Sequence, residues 1–395
     1  MASFDGEHAG ARIKEQRRLA QLTQRELAQL LPYSYSLLNQ VECGARQATP
    51  DFVAAVAKAL RVDVTALTGQ PYVTELQQDR LAALVRPIRE ALDIYDLGAD
   101  PDVRPRPARQ LVAEADQMCR AVRATHLRKA AADLPLLITE LTTAAWSAPT
   151  TALWQALASA YRTAHDISVK LGYYDLSSVA LDRMAWASER ASDACLAAVR
   201  QYMRALVYFR EGEYVIGRRL IRAGHVLIEG MDTRESIAVV GQLHLGACVI
   251  AARAGACNQA AVDSHLEQAA VCADRTGDAS EVHWLSFGPT NVKLHRMSAA
   301  VEMRLYDDAL GQAREIALPA GLATSRRAHY LIDRARSEAE TGHAKRALAS
   351  LVEARKAAPE QTRYHPGARE TISSLVHQWR QTPNTLGNMA AWVGM

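Results

Sequence analysis

The sequence lacks an apolar run long enough to cross a bilayer, which takes about 20 residues. Its first residues also lack the apolar stretch of a secretory signal, because Glu7, Lys14, Glu15 and Arg17 carry charges there. Both absences argue against export or membrane insertion. We therefore expect a chain that stays in the cytosol.

The sequence also lacks the motifs of enzymes and metal sites. It contains no P-loop, GxSxG, HExxH or paired-carboxylate motif, and its 12 histidines are scattered. None of the six cysteines forms a CxxC pair or stands beside histidine at zinc spacing. We expect no enzymatic activity, no metal and no cofactor. Buried reduced thiols are the favoured interpretation, with a redox switch as the alternative, for Cys43, Cys119, Cys195, Cys248, Cys257 and Cys272.

Aromatic residues make up only 6% of the chain, and the net charge is only +3. Ala, Leu, Arg and Glu outweigh the β-branched residues, which favours helix. Residues 1–72 hold eight Lys and Arg against seven Asp and Glu. Any nucleic-acid binding there must come from a few placed contacts and from dimerisation rather than from a broad cationic field.

Start and stop signals divide residues 9–67 into five short helices. Thr23 with Glu26 forms a capping box, Pro32 ends that helix, Ser34 caps the next, and Gly44 stops it. Thr49-Pro50 begins the fourth helix. The apolar positions predicted to build the core are Ile13, Leu19, Leu27, Leu30, Leu31, Leu38, Val41, Val53, Val56, Ala57, Leu60, Val62, Val64 and Leu67.

Four motifs follow one another in this region. They are Thr-Gln-x-Glu-Leu-Ala (23–28), Ser-x-Ser-x-Leu-x-x-Val-Glu-x-Gly (34–44), Thr-Pro (49–50) and Ala-x-Ala-Leu-x-Val (57–62). Together they resemble the Cro/C1-type (XRE) helix-turn-helix family over residues 9–70. A generic helical bundle is the alternative, but it does not explain an outer helix face of Tyr, Ser, Asn and Gln. The family often has Gly where Pro32 stands.

The resemblance implies that the third helix enters the major groove. Tyr35, Ser36 and Gln40 match base-reading positions, and Leu37 could touch a thymine methyl group. Gln24 would contact a phosphate, and the loop before the fourth helix would contact the DNA backbone. The implied DNA-contacting residues are Arg12, Thr23, Gln24, Tyr35, Ser36, Leu37, Asn39, Gln40, Arg46 and Gln47.

Glu42 ends this third helix and has two interpretations. The resemblance implies a partly buried ion pair with Arg17, which would lock the first helix to the third. A role at the DNA surface is disfavoured because phosphates repel a carboxylate.

A connecting segment follows the head. Apolar spacing at Leu76, Leu81 and Leu84 predicts helix over 73–97. Residues 98–107 then hold three prolines in seven residues, which indicates a stiff connector. A solvated linker is the favoured interpretation, and DNA contact by its arginines is the alternative.

From residue 107 the chain reads as repeated helix pairs. Residues 328–342, followed by Ala347, Ala354 and Pro359, fit the tetratricopeptide (TPR) pattern. Similar turns at 171–173, 209–214, 254–255 and 304–309 give a spacing of about 40 residues. We predict about five TPR-like units over 150–360, with capping pairs at 107–146 and 366–392.

Stacked pairs form a superhelix whose concave groove is lined by the first helix of each pair. Counting back from each turn gives the residues that face the groove. A ligand or peptide site and a merely solvated groove are both open. The counted positions are Arg162, Asp166, Tyr202, Gln242, Arg253, Asn291, His295, His329, Asp333 and Arg336.

The segment from Trp284 to Asn291 places two aromatic residues before a helix whose first residue is Pro289. It resembles a junction in bacterial regulators that join an XRE head to a TPR-like body. A packing plug between units is the favoured interpretation, and a pocket wall is the alternative.

The predicted fold is all-α, with a five-helix head followed by a TPR-like α-solenoid of helix pairs. The expected domains are 1–72 for DNA binding, 73–106 for the connection, and 107–395 for sensing and dimerisation. The layout resembles peptide-responsive quorum-sensing regulators, so we expect a transcriptional regulator that binds a double-stranded DNA operator as a homodimer. A signalling peptide or small molecule would occupy the groove. A DNA-binding scaffold, or an antitoxin or phage-type repressor that binds a partner protein, is the alternative.

Overall fold

The computed structural model of the chain describes residues 8–69, 75–255, 258–379 and 383–395, with the backbone alone over 75–82. Across these ranges the regular structure is helical, and the pairing of Ala279 with Phe287 is an isolated β-bridge. The prediction of an all-α fold is confirmed. Cys257 and the side chains of Leu76 and Leu81 lie outside the described residues.

The head has five helices: the fourth begins at Pro50 without a side-chain cap, and a side chain caps each of the other four. Its core is separate from that of the body and is built from the predicted apolar residues, including Ile13, Leu27 and Leu38. The predictions for Leu19 and Leu30 are wrong: these residues are 70% and 58% exposed, because each is the last residue of a short helix and lies on its outer side. The helices are α1 (Ala9–Leu19), α2 (Gln24–Leu30), α3 (Tyr35–Glu42), α4 (Pro50–Leu60) and α5 (Val64–Thr68).

The connecting segment is α6 (Glu75–Asp93) followed by an extended stretch. Most residues of this stretch are exposed, as the solvated-linker interpretation expects, but its end is bound to the body. The Arg106 guanidinium donates to both Glu140 carboxylate oxygens at 3.0 Å and also pairs with Glu114, and the Arg106 backbone N–H donates to Glu140. Arg106 therefore ties the end of the connector to the body.

The body consists of helix pairs, with five pairs between residues 151 and 357, as the repeat spacing predicts. A further pair precedes them and another follows them. The short helix α19 (Pro359–Tyr364) separates the last two pairs. The pairs are α7 (Ala108–Arg123) with α8 (Leu127–Ser147), α9 (Thr151–Leu171) with α10 (Tyr174–Ala191), α11 (Ala194–Arg210) with α12 (Tyr214–Leu227), α13 (Arg234–Arg253) with α14 (Gln259–Thr276), α15 (Pro289–Glu302) with α16 (Tyr306–Glu315), α17 (Thr324–Glu340) with α18 (Ala344–Ala357), and α20 (Pro366–Gln378) with α21 (Asn384–Val393).

The first helices of successive pairs stack on one another, from α7 through α17 to α20. The stack curves until its two ends meet: α7 contacts α17, and α9 contacts α19. Two hydrogen bonds cross this junction, from Lys170 Nζ to Gln361 Oε1 at 2.6 Å and from the Arg128 N–H to Glu360 at 3.0 Å. The first helices therefore surround one space, which we call the central groove.

One described helix, α13, is long and apolar enough by composition to cross a membrane. It lies in the middle of the stack, between α11 and α15 and against α14, and 72% of its most apolar window is buried there. Its apolar character is therefore explained by packing in the core of the body.

Candidate nucleic-acid interface and central groove

Side-chain caps fix the starts of the two helices that form the helix-turn-helix. The Thr23 hydroxyl accepts from the Glu26 N–H at 3.2 Å, and the Glu26 carboxylate accepts from the Thr23 N–H at 2.7 Å. The Ser34 hydroxyl accepts from the Leu37 N–H at 3.2 Å. The predicted capping box and the second cap are both confirmed, and they set the direction in which α3 leaves the turn.

The two faces of α3 differ in the way its sequence predicts. Leu38 and Val41 are buried, while Ser36 and Gln40 are exposed and Tyr35 is 47% exposed. Asn39 is also exposed, whereas Leu37 is half-buried against the head core. The helix therefore presents a polar surface of hydrogen-bonding side chains to solvent.

Gln24 holds this polar surface in place. Its Nε2 donates to Glu42 Oε2 at 2.8 Å and to Asn39 Oδ1 at 3.4 Å, and its Oε1 accepts from the Tyr35 hydroxyl at 3.2 Å. The first residue of α2 is thus bound to both ends of α3. This network limits the rotamers of Tyr35 and Asn39 before any ligand arrives.

The expected pair of Arg17 and Glu42 is present and bidentate. Arg17 Nε and Nη2 donate to the two Glu42 carboxylate oxygens at 2.7 and 2.8 Å, and Arg17 Nη1 donates to the Leu22 carbonyl at 2.8 Å. The two side chains are only 9% and 1% exposed. The hydrogen bond to Glu42 raises the pKa of Arg17 despite its burial. Glu42 therefore joins α1 to α3 and faces away from the polar surface.

The remaining residues expected at DNA are placed differently from one another. Thr23 is exposed at the start of α2, and Arg46 is exposed in the loop after α3. Gln47 Nε2 donates to Glu370 Oε2 of α20 at 3.1 Å, so it contacts the body. Arg12 Nη1 donates to the Thr68 carbonyl at 3.4 Å and lies against Gly69.

The head is docked on turns of the body through α4 and the loop before it. Arg304, between α15 and α16, donates to Asp51 Oδ2 at 2.9 Å and to the Thr49 hydroxyl at 3.0 Å. The Tyr33 hydroxyl donates to the same Asp51 carboxylate at 2.7 Å. Lys58 pairs with Glu213 at 2.9 Å. Nothing in the sequence signals the contacts of Arg304 and Lys58 between head and body, because their partners are more than 150 residues apart.

A cleft of about 360 Å³ separates the loop after α3 from α20. Arg46 and Gln47 line it on the side of the head, and Glu370 and His377 line it on the side of the body. Cys43 also borders it and is exposed, which corrects the expectation of a buried thiol at that position. Its exposure follows from its place at the end of α3, one residue beyond the buried Glu42.

Four of the predicted groove residues form one hydrogen-bonded chain across α11, α13 and α15. Gln242 Nε2 donates to the Tyr202 hydroxyl at 2.8 Å, and Asn291 Nδ2 lies 3.5 Å from Gln242 Oε1. His295 Nδ1 lies 2.9 Å from the Asn291 carbonyl. Arg326 on α17 approaches the end of this chain, with its Nη2 3.2 Å from His295 Nδ1, but that nitrogen cannot accept from Arg326 while it donates to the Asn291 carbonyl.

The other predicted groove residues form separate polar groups. Asp166 pairs with Arg123 at 2.7 Å, and Arg162 donates to the Trp284 carbonyl at 3.3 Å. Asp333 accepts from the Ser298 hydroxyl at 2.6 Å and lies 3.7 Å from His329.

A third group lies nearer the head. Arg253 forms two hydrogen bonds with Glu302, at 2.6 and 2.8 Å, and stacks on the Phe209 ring at 3.7 Å. Burial lowers the pKa of Arg336, but Tyr306, and after it the carboxylates of Glu302 and Glu370, raise that pKa above its ordinary value.

Sequence reasoning missed several charged groove residues. Arg162, Asp166 and Lys170 repeat every four residues on α9, so extending that stripe by one turn finds Lys170. Two such steps from Tyr202 on α11 reach Arg210. Arg326 lies one turn before His329 on α17. Arg123 had no such signal, because the pair it belongs to joins the groove only when the stack closes.

The aromatic segment after α14 packs between helix pairs and also contacts the first pair of the body. Phe287 is fully buried, and a Cβ on Gly241 of α13 would lie 2.1 Å from its ring, so only glycine fits there. Trp284 Nε1 donates to Asp116 of α7 at 2.6 Å. The expected packing plug is therefore present, and Trp284 adds a contact to the first pair of the body.

One group of side chains meets the distance requirement for a metal ion within the described ranges: Asp193, Cys195 and Glu235. Asp193 already caps α11 and accepts from Gln155, and a Glu235 carboxylate oxygen lies 2.7 Å from His283 Nε2. Burial raises the pKa of the Cys195 thiol to about 12, so the thiolate needed by a metal is disfavoured. These residues are explained as structural contacts.

Comparison with known proteins identifies the head. A family model described as a helix-turn-helix domain matches residues 8–68. This match confirms the resemblance seen in the sequence over 9–70. No curated protein matches the chain. A solved TPR domain, that of P58(IPK), aligns with 98% of this chain and 97% of its own, at 12% identity and a TM-score of 0.22.

Proposed function

We propose that this protein is a cytoplasmic, sequence-specific transcriptional regulator without enzymatic activity. Its head would bind an operator, and its body would dimerise and sense a peptide or small molecule. The exposed polar face of α3 within a matched helix-turn-helix domain carries the DNA part of the proposal. Tyr35, Ser36, Asn39 and Gln40 can all donate or accept hydrogen bonds at base edges.

The head–body contacts support a link between the groove and DNA binding. Glu302, at the end of α15, pairs with Arg253 in the central groove. Arg304, two residues later, holds Asp51 of the head. A ligand that moved the end of α15 would therefore also move Arg304 and change its contact with Asp51 of α4. By linkage, ligand and operator would change each other's affinity by the same factor.

The closed stack favours a compact ligand over a long extended one. An extended peptide that runs along a superhelix needs open ends, whereas here α7 and α9 contact α17 and α19. The alternative function, a scaffold that binds a partner protein through the outer surface of its body, needs no ligand in the groove. A response of operator binding to a small molecule distinguishes the two.

The test of DNA reading uses operator sites selected from random DNA. We expect a two-fold-symmetric site with half-sites about 34 Å apart or a multiple of that distance. Gln40→Ala should weaken binding by about 1–3 kcal/mol and relax one base position, because it removes a base-edge contact. Gln110→Ala, at an exposed glutamine of α7, is the matched control. Equal loss on every sequence in quantitative gel shifts would contradict base reading by Gln40.

A further inference from the structure

Cationic side chains converge where the stack closes. Arg123 on α7, Arg162 and Lys170 on α9, Arg210 on α11 and Arg326 on α17 are each close enough to others of the set to influence their charge. We call these five residues the groove cations. They come from both ends of the body, and closure alone brings them together.

Carboxylates do not balance this charge. Asp166 pairs with Arg123, and Asp333, the other carboxylate near Arg326, accepts from Ser298. The five groove cations thus outnumber these two carboxylates, and they are buried (Arg162) or half-buried (the other four) rather than open to bulk solvent. Like charges held together at low dielectric repel strongly, and an occupant of opposite charge removes that repulsion.

Hydrogen-bonding capacity is also left over. The Nε atoms of Arg123, Arg162 and Arg326 are buried without a hydrogen-bond partner. Arg162 is only 2% exposed, so water cannot freely supply that partner. The Tyr202 hydroxyl accepts from Gln242, which leaves its own proton to donate. Guanidinium N–H groups without a partner, beside a hydroxyl that can still donate its proton, are the donor set that phosphate and carboxylate oxygens require.

The electrostatics agree with this geometry. Burial, then the charge of Arg123, lowers the pKa of Lys170 to about 7 and also lowers the pKa of Arg162. Both groups would gain from a nearby anion, which favours their charged forms.

We propose that the groove cations bind a compact anion that carries phosphate or carboxylate groups. The inference rests on the proposed sensing function and gives the chemical class of its signal. The anion would bridge α17 to α7 and α9, so its binding would tighten the closure of the stack.

The first test measures anion binding to the full chain by calorimetry and by thermal unfolding. The probes are inorganic pyrophosphate and citrate, compared with sodium chloride at equal ionic strength. We expect saturable binding and a rise in Tm. A tighter fit of pyrophosphate assigns a phosphate ligand, and a tighter fit of citrate assigns a carboxylate ligand. No saturable binding of either probe would overturn the proposal.

Three variants locate the site. Arg326→Gln and Lys170→Gln should each weaken binding about tenfold or more, since each removes a charge-assisted contact. Arg346→Gln removes one positive charge from an exposed position on α18 and should bind like the parent chain. Equal binding by all three variants would place the anion elsewhere, for example at the head, and would overturn the proposal.

Stability in the absence of the probe separates binding from folding. Arg326→Gln relieves repulsion among the groove cations, so its Tm without anion should equal or exceed that of the parent chain. Its Tm should then fail to rise with the probe. A Tm below that of the parent chain, with the same rise on adding the probe, would make Arg326 a structural residue.

Operator binding on the same samples keeps the two proposals distinguishable. Anion binding that leaves operator affinity unchanged would retain the anion site and overturn ligand sensing. Intact operator binding without any anion binding would retain the DNA-binding function and overturn the anion site.

Discussion

At the scale of single residues, Glu42 shows how burial decides a role that position alone leaves open. It ends the helix that we propose faces DNA, yet both of its oxygens accept from Arg17 and one also accepts from Gln24. The exposed side chains near it are available to bind a ligand, whereas Glu42 is buried and holds Gln24, which in turn positions Tyr35 and Asn39. A substitution at Glu42 should therefore change stability first and DNA binding second.

Glu42→Ala should destabilise the head by about 3–5 kcal/mol, because it leaves the Arg17 charge buried without a partner. The measurement is native-state hydrogen exchange of amides in α1 and α3 of the full chain. Arg17→Met combined with Glu42→Leu should recover most of this loss, since no charge is then buried alone. Unchanged exchange together with lost operator binding would make Glu42 a DNA-contacting residue.

A buried histidine makes stability depend on pH. His165 is 4% exposed, its Nδ1 lies 2.9 Å from the Ser177 hydroxyl, and burial lowers its pKa to about 4. Between about pH 6.5 and 4 the unfolded chain binds a proton there that the folded chain does not. The stability of the folded state therefore falls as the pH is lowered through this range.

The loss attributable to His165 should be about 2 kcal/mol between pH 7 and 5. Denaturant unfolding of the parent chain and of His165→Gln at both pH values measures it, because other histidines contribute equally to both chains. The variant should lose less stability on acidification than the parent chain. Identical losses would show that His165 does not titrate on unfolding.

At the scale of elements, the contacts between α4 and the body differ in strength. The pair of Arg304 and Asp51 is partly shielded, with side chains 38% and 28% exposed. The pair of Lys58 and Glu213 is open, with Lys58 74% exposed. Solvent screening weakens the second pair more than the first.

A double-mutant cycle on Arg304→Ala and Asp51→Ala should give a coupling energy of about 1 kcal/mol by denaturant unfolding. The matched cycle on Lys58→Ala and Glu213→Ala should give about 0–0.5 kcal/mol. If the open pair couples more strongly than the shielded one, the docking of the head differs from that described here.

At the scale of the whole molecule, closure of the stack depends on a few long-range contacts. Trp284 supplies two of them, through its Nε1 to Asp116 and its carbonyl to Arg162. Arg120 also lies 5.5 Å from the centre of its ring. Closure brings the groove cations together, so a weaker closure should also weaken the anion site.

Trp284→Phe keeps a ring but removes the donor to Asp116, so the stack should open and cost about 1 kcal/mol of stability. Small-angle X-ray scattering should show a larger radius of gyration. Trp146→Phe is the control, because it also loses one indole hydrogen bond, to the Tyr95 carbonyl, at a place far from the closure. Unchanged scattering from both variants would show that Trp284 does not hold the closure.

The sequence by itself determined the head and the repeating pattern of the body. Caps at Thr23 and Ser34 act on atoms three residues away, and the pairing of helices follows from apolar spacing within about 40 residues. The pair of Arg17 and Glu42 could also be expected, because the resemblance to the helix-turn-helix family implies it. These features depend on interactions that are local or are confined to one short domain.

Only the tertiary structure decided how these parts meet. Each helix pair adds a rotation to the stack, and the sum over all pairs fixes whether α7 reaches α17. No single pair reveals that sum. For the same reason, the docking of Asp51 on Arg304, the clamp of Arg106 on Glu140 and the meeting of Arg123 with Arg326 could not be predicted from spacing. The charge of the central groove, and with it the class of ligand that we propose for it, follows from closure rather than from any local pattern.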